Sequence, residues 1–431
     1  MNAVKRPALF AILGLGLLAG IAARPAQEEW IVVLSGDTDG TLAPCGCTSP
    51  MMGGLKRLAT ALRHGSHQIL IDNGGVVGGI RPQDKLKAET AAEAMDLLKI
   101  DAVNLTGRDA RLGRGGALAF SQLSKGRFVS TSLGEGRSLP IEPWREAGPF
   151  LIGGAAAHPE QLGQELQEEV LSPAQAAHRL VNEAEARGLA PILLFDGDHA
   201  AARGLAQAEP NLRLVTYRAT GSAPESLEMV GQAALATPGE HGKTIARLAW
   251  QGNRFVAVSM QSLGPDVKDD KEATVLYRRY LKRVTTDQLL EKISRTASPA
   301  FSGSAKCGSC HTSAAAVWRK SGHAHALTTL ERVEHQRDPE CVRCHVVGLE
   351  KTTGFRSRTL TPQLSNVGCE SCHGAGSAHS AAPFKVRMSK VGRNSCISCH
   401  SLDNSPNFDF VRYWPKVVHG LDPHRKNARS K

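Results

Sequence analysis

Cys307-Gly-Ser-Cys310-His311, Cys341-Val-Arg-Cys344-His345, Cys369-Glu-Ser-Cys372-His373 and Cys396-Ile-Ser-Cys399-His400 are four copies of one pentad, and they decide how the last third of the chain is read. Each has the spacing of a c-type haem attachment site. Two thiols reach the two vinyl groups of one porphyrin and become thioethers, while the adjacent imidazole is aimed at the iron as proximal ligand. The rival reading is a pair of Cys₄ zinc sites. It explains the cysteine spacing but not a histidine at the same next position in every copy. The cofactor expectation is therefore four covalently bound haem c groups, with His311, His345, His373 and His400 as proximal ligands.

The segment that carries the pentads, residues 299–431, has only eight aromatic side chains. So little apolar material makes a poor core, so the porphyrins are expected to supply most of the buried surface, and folding should depend on haem attachment. Proximal histidines 34, 28 and 27 residues apart force neighbouring haems into a close, wire-like cluster. From residue 301 onward there are 19 Lys plus Arg against 9 Asp plus Glu, which is almost all of the chain's net charge of +11. Such an excess suits nucleic acid or an anionic membrane surface. Four haems bring roughly eight propionates, which offset most of it. Internal neutralisation is the preferred reading: no nucleic-acid partner is expected, and peripheral membrane association stays open.

Beyond the pentads, Trp318-Arg-Lys-Ser-Gly-His323-Ala-His325, Asp338-Pro-Glu-Cys341, Val367-Gly-Cys369 through His379, and Phe408-Asp-Phe-Val-Arg-Tyr-Trp-Pro-Lys-Val-Val-His419 follow one another as blocks. They resemble the cytochrome c-554 family of tetrahaem proteins. The resemblance implies a mostly helical, loop-rich electron-transfer domain with closely packed haem pairs. It also implies that His323, His379 and His419 are distal ligands to the fourth, first and third haems. The second haem, on His345, is the one that family can leave five-coordinate, and His325 or His335 are the candidates to fill its sixth position. Of the six histidines besides the proximal four, His424 has no assigned role.

Before the pentads the chain reads differently. Residues 1–26 carry Lys5 and Arg6, an apolar run from Ala8 to Ala23 and then a polar stretch. This is the pattern of an export signal, too short to span a bilayer comfortably, so cleavage and a periplasmic or extracellular destination are expected. Export agrees with covalent haem attachment outside the cytoplasm. The apolar runs Trp30–Leu34, Ile69–Asp72 and Ala190–Phe195 read as strands, and Leu86–Leu98 has helical periodicity. Strands alternating with helices argue a layered α/β domain over 30–265, with a site at the carboxyl ends of its strands.

Those strand ends carry Ser35-Gly-Asp37-Thr-Asp39-Gly40, Gly53-Gly54-Leu55-Lys56-Arg57, Asp72-Asn73-Gly74-Gly75, Asp101-Ala102-Val103 and Gly107-Arg108-Asp109. The stretch resembles the metallophosphatase and 5′-nucleotidase superfamily, which implies a four-layer α/β/β/α fold and a dinuclear metal site. The ligands depart from that pattern. Asp37 matches the first aspartate, but Asp39 stands where the family has histidine, and Gly75 stands where the bridging aspartate belongs. Arg108-Asp109 replaces Asn-His, Asp196-Gly-Asp198-His199 offers one histidine, and Thr216–Gly221 lacks the late His-x-His. Without a bridging carboxylate, two metals lose the group that spaces them. The expectation is a vestigial, non-catalytic site of Asp37, Asp39, Asp72, Arg108, Asp109, Asp196 and His199. In it the Arg108 guanidinium replaces the lost cations among Asp37, Asp39, Asp109 and Asp196. Cys45 and Cys47, in the loop after the first strand, read equally as a redox or metal-binding pair and as plain loop cysteines.

Residues 266–298 form a charged break and a linker helix expected over Ala273–Ser294. Its stripe of Val275, Leu276, Tyr280, Leu281, Val284, Leu289, Leu290 and Ile293 should dock the pentad segment onto the first domain. Three functions follow: an exported electron carrier between protein donor and acceptor, a multihaem redox enzyme acting on a small nitrogen or sulfur compound at an open second haem, and a metal-dependent phosphoesterase. Donor, acceptor and oligomeric state are not legible.

Overall fold

In the computed structural model, residues 29–44, 50–63, 65–219, 221, 224, 226–401 and 404–420 are described. The expected export signal, Cys45, Cys47 and His424 lie outside the described residues. Twelve strands make two mixed six-stranded sheets. They are β1 (Trp30–Ser35), β2 (Gln68–Asp72), β3 (Ala102–Asn104), β4 (Phe128–Val129), β5 (Trp144–Ala147), β6 (Phe150–Ala155), β7 (Ala190–Phe195), β8 (Leu214–Thr216), β9 (Glu228–Val230), β10 (Ala233–Ala236), β11 (Thr244–Gln251) and β12 (Arg254–Ser262). The first sheet has the order β12-β11-β1-β2-β3-β4 and the second β5-β6-β7-β8-β10-β9. β1 to β4 run parallel, as do β6, β7, β8 and β10, while β11 and β12 at one end of the first sheet and the edge strands β5 and β9 of the second pair antiparallel.

Side-chain alternation along these strands builds the layers. Val32, Leu34, Ile69 and Ile71 of the first sheet meet Ile152, Ile192, Leu194 and Leu214 of the second, with Phe150, Trp250 and Phe255 filling the space between. The opposite faces are covered by helices. Val33, Leu70 and Val103 pack under the helices Leu55–Ala61, Pro82–Leu97, Gly113–Leu123 and Lys271–Thr286, and Leu151, Leu193 and Val215 pack under Pro173–Arg187 and His199–Ala208. The result is a four-layer α/β/β/α unit whose loops converge at the carboxyl ends of β1, β2, β3, β7 and β8.

The linker helix is shorter than its sequence pattern suggests. It ends at Thr286, because Leu289 N–H donates back to the Val284 carbonyl and Gln288 turns into the left-handed region at φ 53°. Val275 lies off the apolar stripe and is exposed, whereas Leu276, Tyr277, Tyr280 and Val284 are buried against the first unit. Leu290 reaches the other way, into a small cluster with Leu327, Leu330, Val342, Val346 and Phe355 around the second pentad. The rest of the pentad segment is a chain of short helices and turns. The helices carrying the first and fourth pentads bury no residue at all. Among the described residues, no helix is long and apolar enough to cross a membrane.

Candidate functional site

The pentad segment brings three pairs of imidazoles together from distant parts of the chain. His311 and His379 have ring centroids 6.1 Å apart, His323 and His400 6.2 Å, and His373 and His419 5.9 Å. A metal–imidazole bond of about 2 Å on each side of one ion would place two ring centroids about 6 Å apart. The spacing therefore fits an iron held between each pair: His379 opposite the first proximal histidine, His419 opposite the third and His323 opposite the fourth.

Second contacts fix which nitrogen would face a metal. His345 Nδ1 lies 2.6 Å from the Ala326 carbonyl, His379 Nδ1 2.7 Å from that of Val386, and His373 Nδ1 3.2 Å from that of Ser389. A carbonyl only accepts, so Nδ1 carries the proton and Nε2 is left for coordination. Burial lowers the pKa of His323, His373 and His400, which favours the neutral imidazole that a metal binds. His335 lies beside the second pentad: Nδ1 is 3.7 Å from Cys341 Sγ and 3.9 Å from Asp338, and its ring lies 6.2 Å from that of Tyr277. His325 ends the short 3₁₀ turn Gly322–His325.

The eight cysteines stand here as free thiols in place of the thioether sulfurs of a haem-loaded chain. Cys307 donates to Cys369, which holds the Cys369 thiol down at about 6, and Cys344 does the same for Cys399. Cys372 faces Cys396 and Cys399. First meets third, third meets fourth and fourth meets second, so the row in space is not the row in sequence. Glu370, unremarked in the sequence pattern, is a buried latch in this row. Its carboxylate accepts from the backbone N–H groups of Ser302 at 2.9 Å, Gly303 at 2.7 Å and Gly376 at 2.7 Å.

The strand-end loops of the two-sheet unit hold the second cluster. Asp37 and Asp39 follow β1 with φ 49° and 47°, a left-handed backbone that non-glycine residues adopt only under constraint. Arg108 reaches across from the loop after β3. It pairs with Asp37 at 2.5 Å and with Asp39, and Arg218 joins Asp37 at 3.5 Å and Asp39 at 3.2 Å. His241 adds a contact to Asp39 at 3.6 Å. A Cβ on Gly75 would lie 2.3 Å from Arg108 Nη2, so the guanidinium fills the space that a side chain at this position would need.

Asp109 and Asp196 are within electrostatic reach of Arg108 but bond elsewhere: Asp109 accepts from Gly75, Val77 and Thr106, and Asp196 from Ala157. Asp72 accepts from Ser35 at 2.6 Å and Gly74 at 2.9 Å. Burial raises the carboxyl pKa of Asp37 to about 7, against the pull of Arg108, and that of Asp72 to about 6. His199 does not join the cluster; it pairs with Glu228 at 2.7 Å and packs on Tyr217, because Asp198 caps its helix and turns it outward. Two cations and one carboxylate-lined hollow do not fit a dinuclear metal centre. Arg218 and His241 carry no signal in the sequence pattern, although Arg218 lies inside Thr216–Gly221.

Comparison with known proteins gives each region its own likeness. Residues 306–374 match the family model described as cytochrome c554 and c-prime. Cytochrome c-554 of Nitrosomonas europaea is 35% identical over 98 residues, covering 19% of this chain and 42% of that protein, so the chain spans less than half the length of this relative. Among solved structures, a 5′-nucleotidase precursor from Thermus thermophilus superposes with a TM-score of 0.53 at 15% identity, covering 71% of this chain and 68% of the other. The NAD nucleotidase of Haemophilus influenzae gives 0.52 at 12% identity, covering 65% and 64%. At such identities the structural likeness establishes the fold of the two-sheet unit and nothing more.

Proposed function

We propose that this chain is an exported tetrahaem c-type cytochrome that passes electrons between protein redox partners, with a phosphoesterase-like unit over 30–265 and a haem domain over 299–431. The observation that carries this reading is the set of three imidazole pairs about 6 Å apart, each joining a pentad histidine to a distant one. When bound, haem c between two imidazoles supplies one-electron transfer without an open coordination position. The chain's own residues do the rest: the pentad cysteines anchor, the Nδ1 contacts fix ring orientation, and the thiol contacts set a row of first, third, fourth and second sites.

The test is haem quantitation with a reduced-minus-oxidised spectrum, followed by EPR of the oxidised protein. Four haems per chain and at least three low-spin signals are expected. In His379→Gly one low-spin signal should give way to a high-spin one and return on adding imidazole. Fewer than three low-spin haems in the unmodified protein would overturn the reading. A second reading rests on His335, which sits beside Cys341, Asp338 and Tyr277: the iron on His345 keeps an open face and acts on a small nitrogen or sulfur compound. Nitric oxide binding to the reduced protein separates the two.

A further inference from the structure

The two-sheet unit touches the pentad segment at a defined place. Asp338 caps the helix Pro339–His345, which contains the whole second pentad, by accepting from Glu340 N–H at 3.0 Å. The same oxygen, Asp338 Oδ1, also accepts from outside the segment. Gln83, on the helix Pro82–Leu97, donates to Asp338 at 2.6 Å and to the Tyr280 hydroxyl at 2.9 Å. One turn further along that helix, Lys87 Nζ contacts both carboxylate oxygens of Glu340, at 3.0 and 2.9 Å, and Arg81 adds a contact at 3.5 Å. Gln83, Lys87, Tyr280, Tyr277 and Asp338 are all buried. Glu340 is the residue before Cys341.

We infer that the phosphoesterase-like unit serves as the anchor and charge partner of the second haem, with Gln83 as positioning residue for the pentad helix and Lys87 as the counter-charge that sets that haem's potential. The inference rests on the reading that Cys341–His345 carries haem. Gln83 holds the cap, the cap holds the helix, and the helix sets where Cys341, Cys344 and His345 point. Lys87 neutralises a carboxylate beside the attachment cysteine. Without it, a negative charge in a partly desolvated setting favours the ferric state over the ferrous one.

The experiment is a spectroelectrochemical titration of the haem-loaded full chain, with EPR to identify each centre. In Lys87→Met one midpoint of four should fall, by about a tenfold change in the oxidised-to-reduced ratio, ~59 mV for a one-electron couple. Lys87→Arg should restore it. Glu340→Gln should move the same midpoint upward, and the double variant should return it close to its original value, which keeps the test valid if one single variant folds poorly. Gln83→Leu should alter the EPR signature of that centre and leave the other three as they were. Midpoints that stay unchanged, or that all move together, would overturn the inference. A haem count below four instead counts against the functional reading on which it rests.

Discussion

Gly75 and Arg108 are mutually dependent residues. With φ at +70° and Arg108 Nη2 2.3 Å from where its Cβ would sit, position 75 has room for no side chain while the arginine is present. Arg108 in turn neutralises Asp37 and Asp39. Arg108→Ala should therefore cost about 2–3 kcal/mol in chemical denaturation, toward the lower side for a broken buried pair because Arg218 remains as a partial replacement. Asp72 gives a pH prediction. Its folded pKa, about 6, lies above the ordinary 3.8, so its contribution is full below about pH 4 and is lost as pH rises through 6. Asp37, at about 7, acts in the same direction. Thermal stability should fall between pH 4 and 7, and Asp72→Asn should flatten the Asp72 part of that fall; a melting temperature that instead rises across this window would rule the assignment out. That position 75 offers no carboxylate was legible because one residue decides it. Arg218 and His241 were not, because only the fold brings residues 179 and 202 positions beyond Asp39 onto its carboxylate.

At the scale of elements, legibility follows how local the cause is. β1, β2 and β7 are apolar runs with nowhere to go but a sheet, and they appear where the pattern places them. The linker helix ends eight residues before the expected Ser294: apolar periodicity continues through Leu289, Leu290 and Ile293, but the backbone reverses at Gln288. Those residues remain apolar for a different reason: Leu290 is buried in the cluster around the second pentad. The pentad helices are an extreme case. Cys369–His373 is five residues long, too short to persist without tertiary support. Glu370 supplies that support through three backbone N–H groups. Glu370→Ala would leave those donors unsatisfied and is expected to cost about 2–4 kcal/mol. The measurement is haem occupancy after purification, where loss should fall on the first and third sites, since Ser302 and Gly303 lead into the helix Ser304–Cys310.

For the molecule as a whole, the distribution of buried apolar side chains separates two folding regimes. Three large clusters lie within the sheets, their covering helices and the linker helix. The pentad segment holds one small cluster around the second site, and the helices of the first and fourth sites bury nothing. Each imidazole pair joins positions far apart in sequence, from 46 residues for His373 and His419 to 77 for His323 and His400. Iron held between such pairs would close long loops that the chain alone has little apolar area to hold. A chain produced without haem attachment should therefore keep a folded two-sheet unit while residues 299–431 remain open to protease. Limited proteolysis should leave a resistant fragment ending near the linker helix, and protection beyond it should be greatest at Asp338–Cys344, where Gln83 and Lys87 hold the segment from outside. Uniform protection through residue 420 in the haem-free chain would mean that the protein part of this segment is self-sufficient, and that the row of sites precedes the cofactor rather than forming around it.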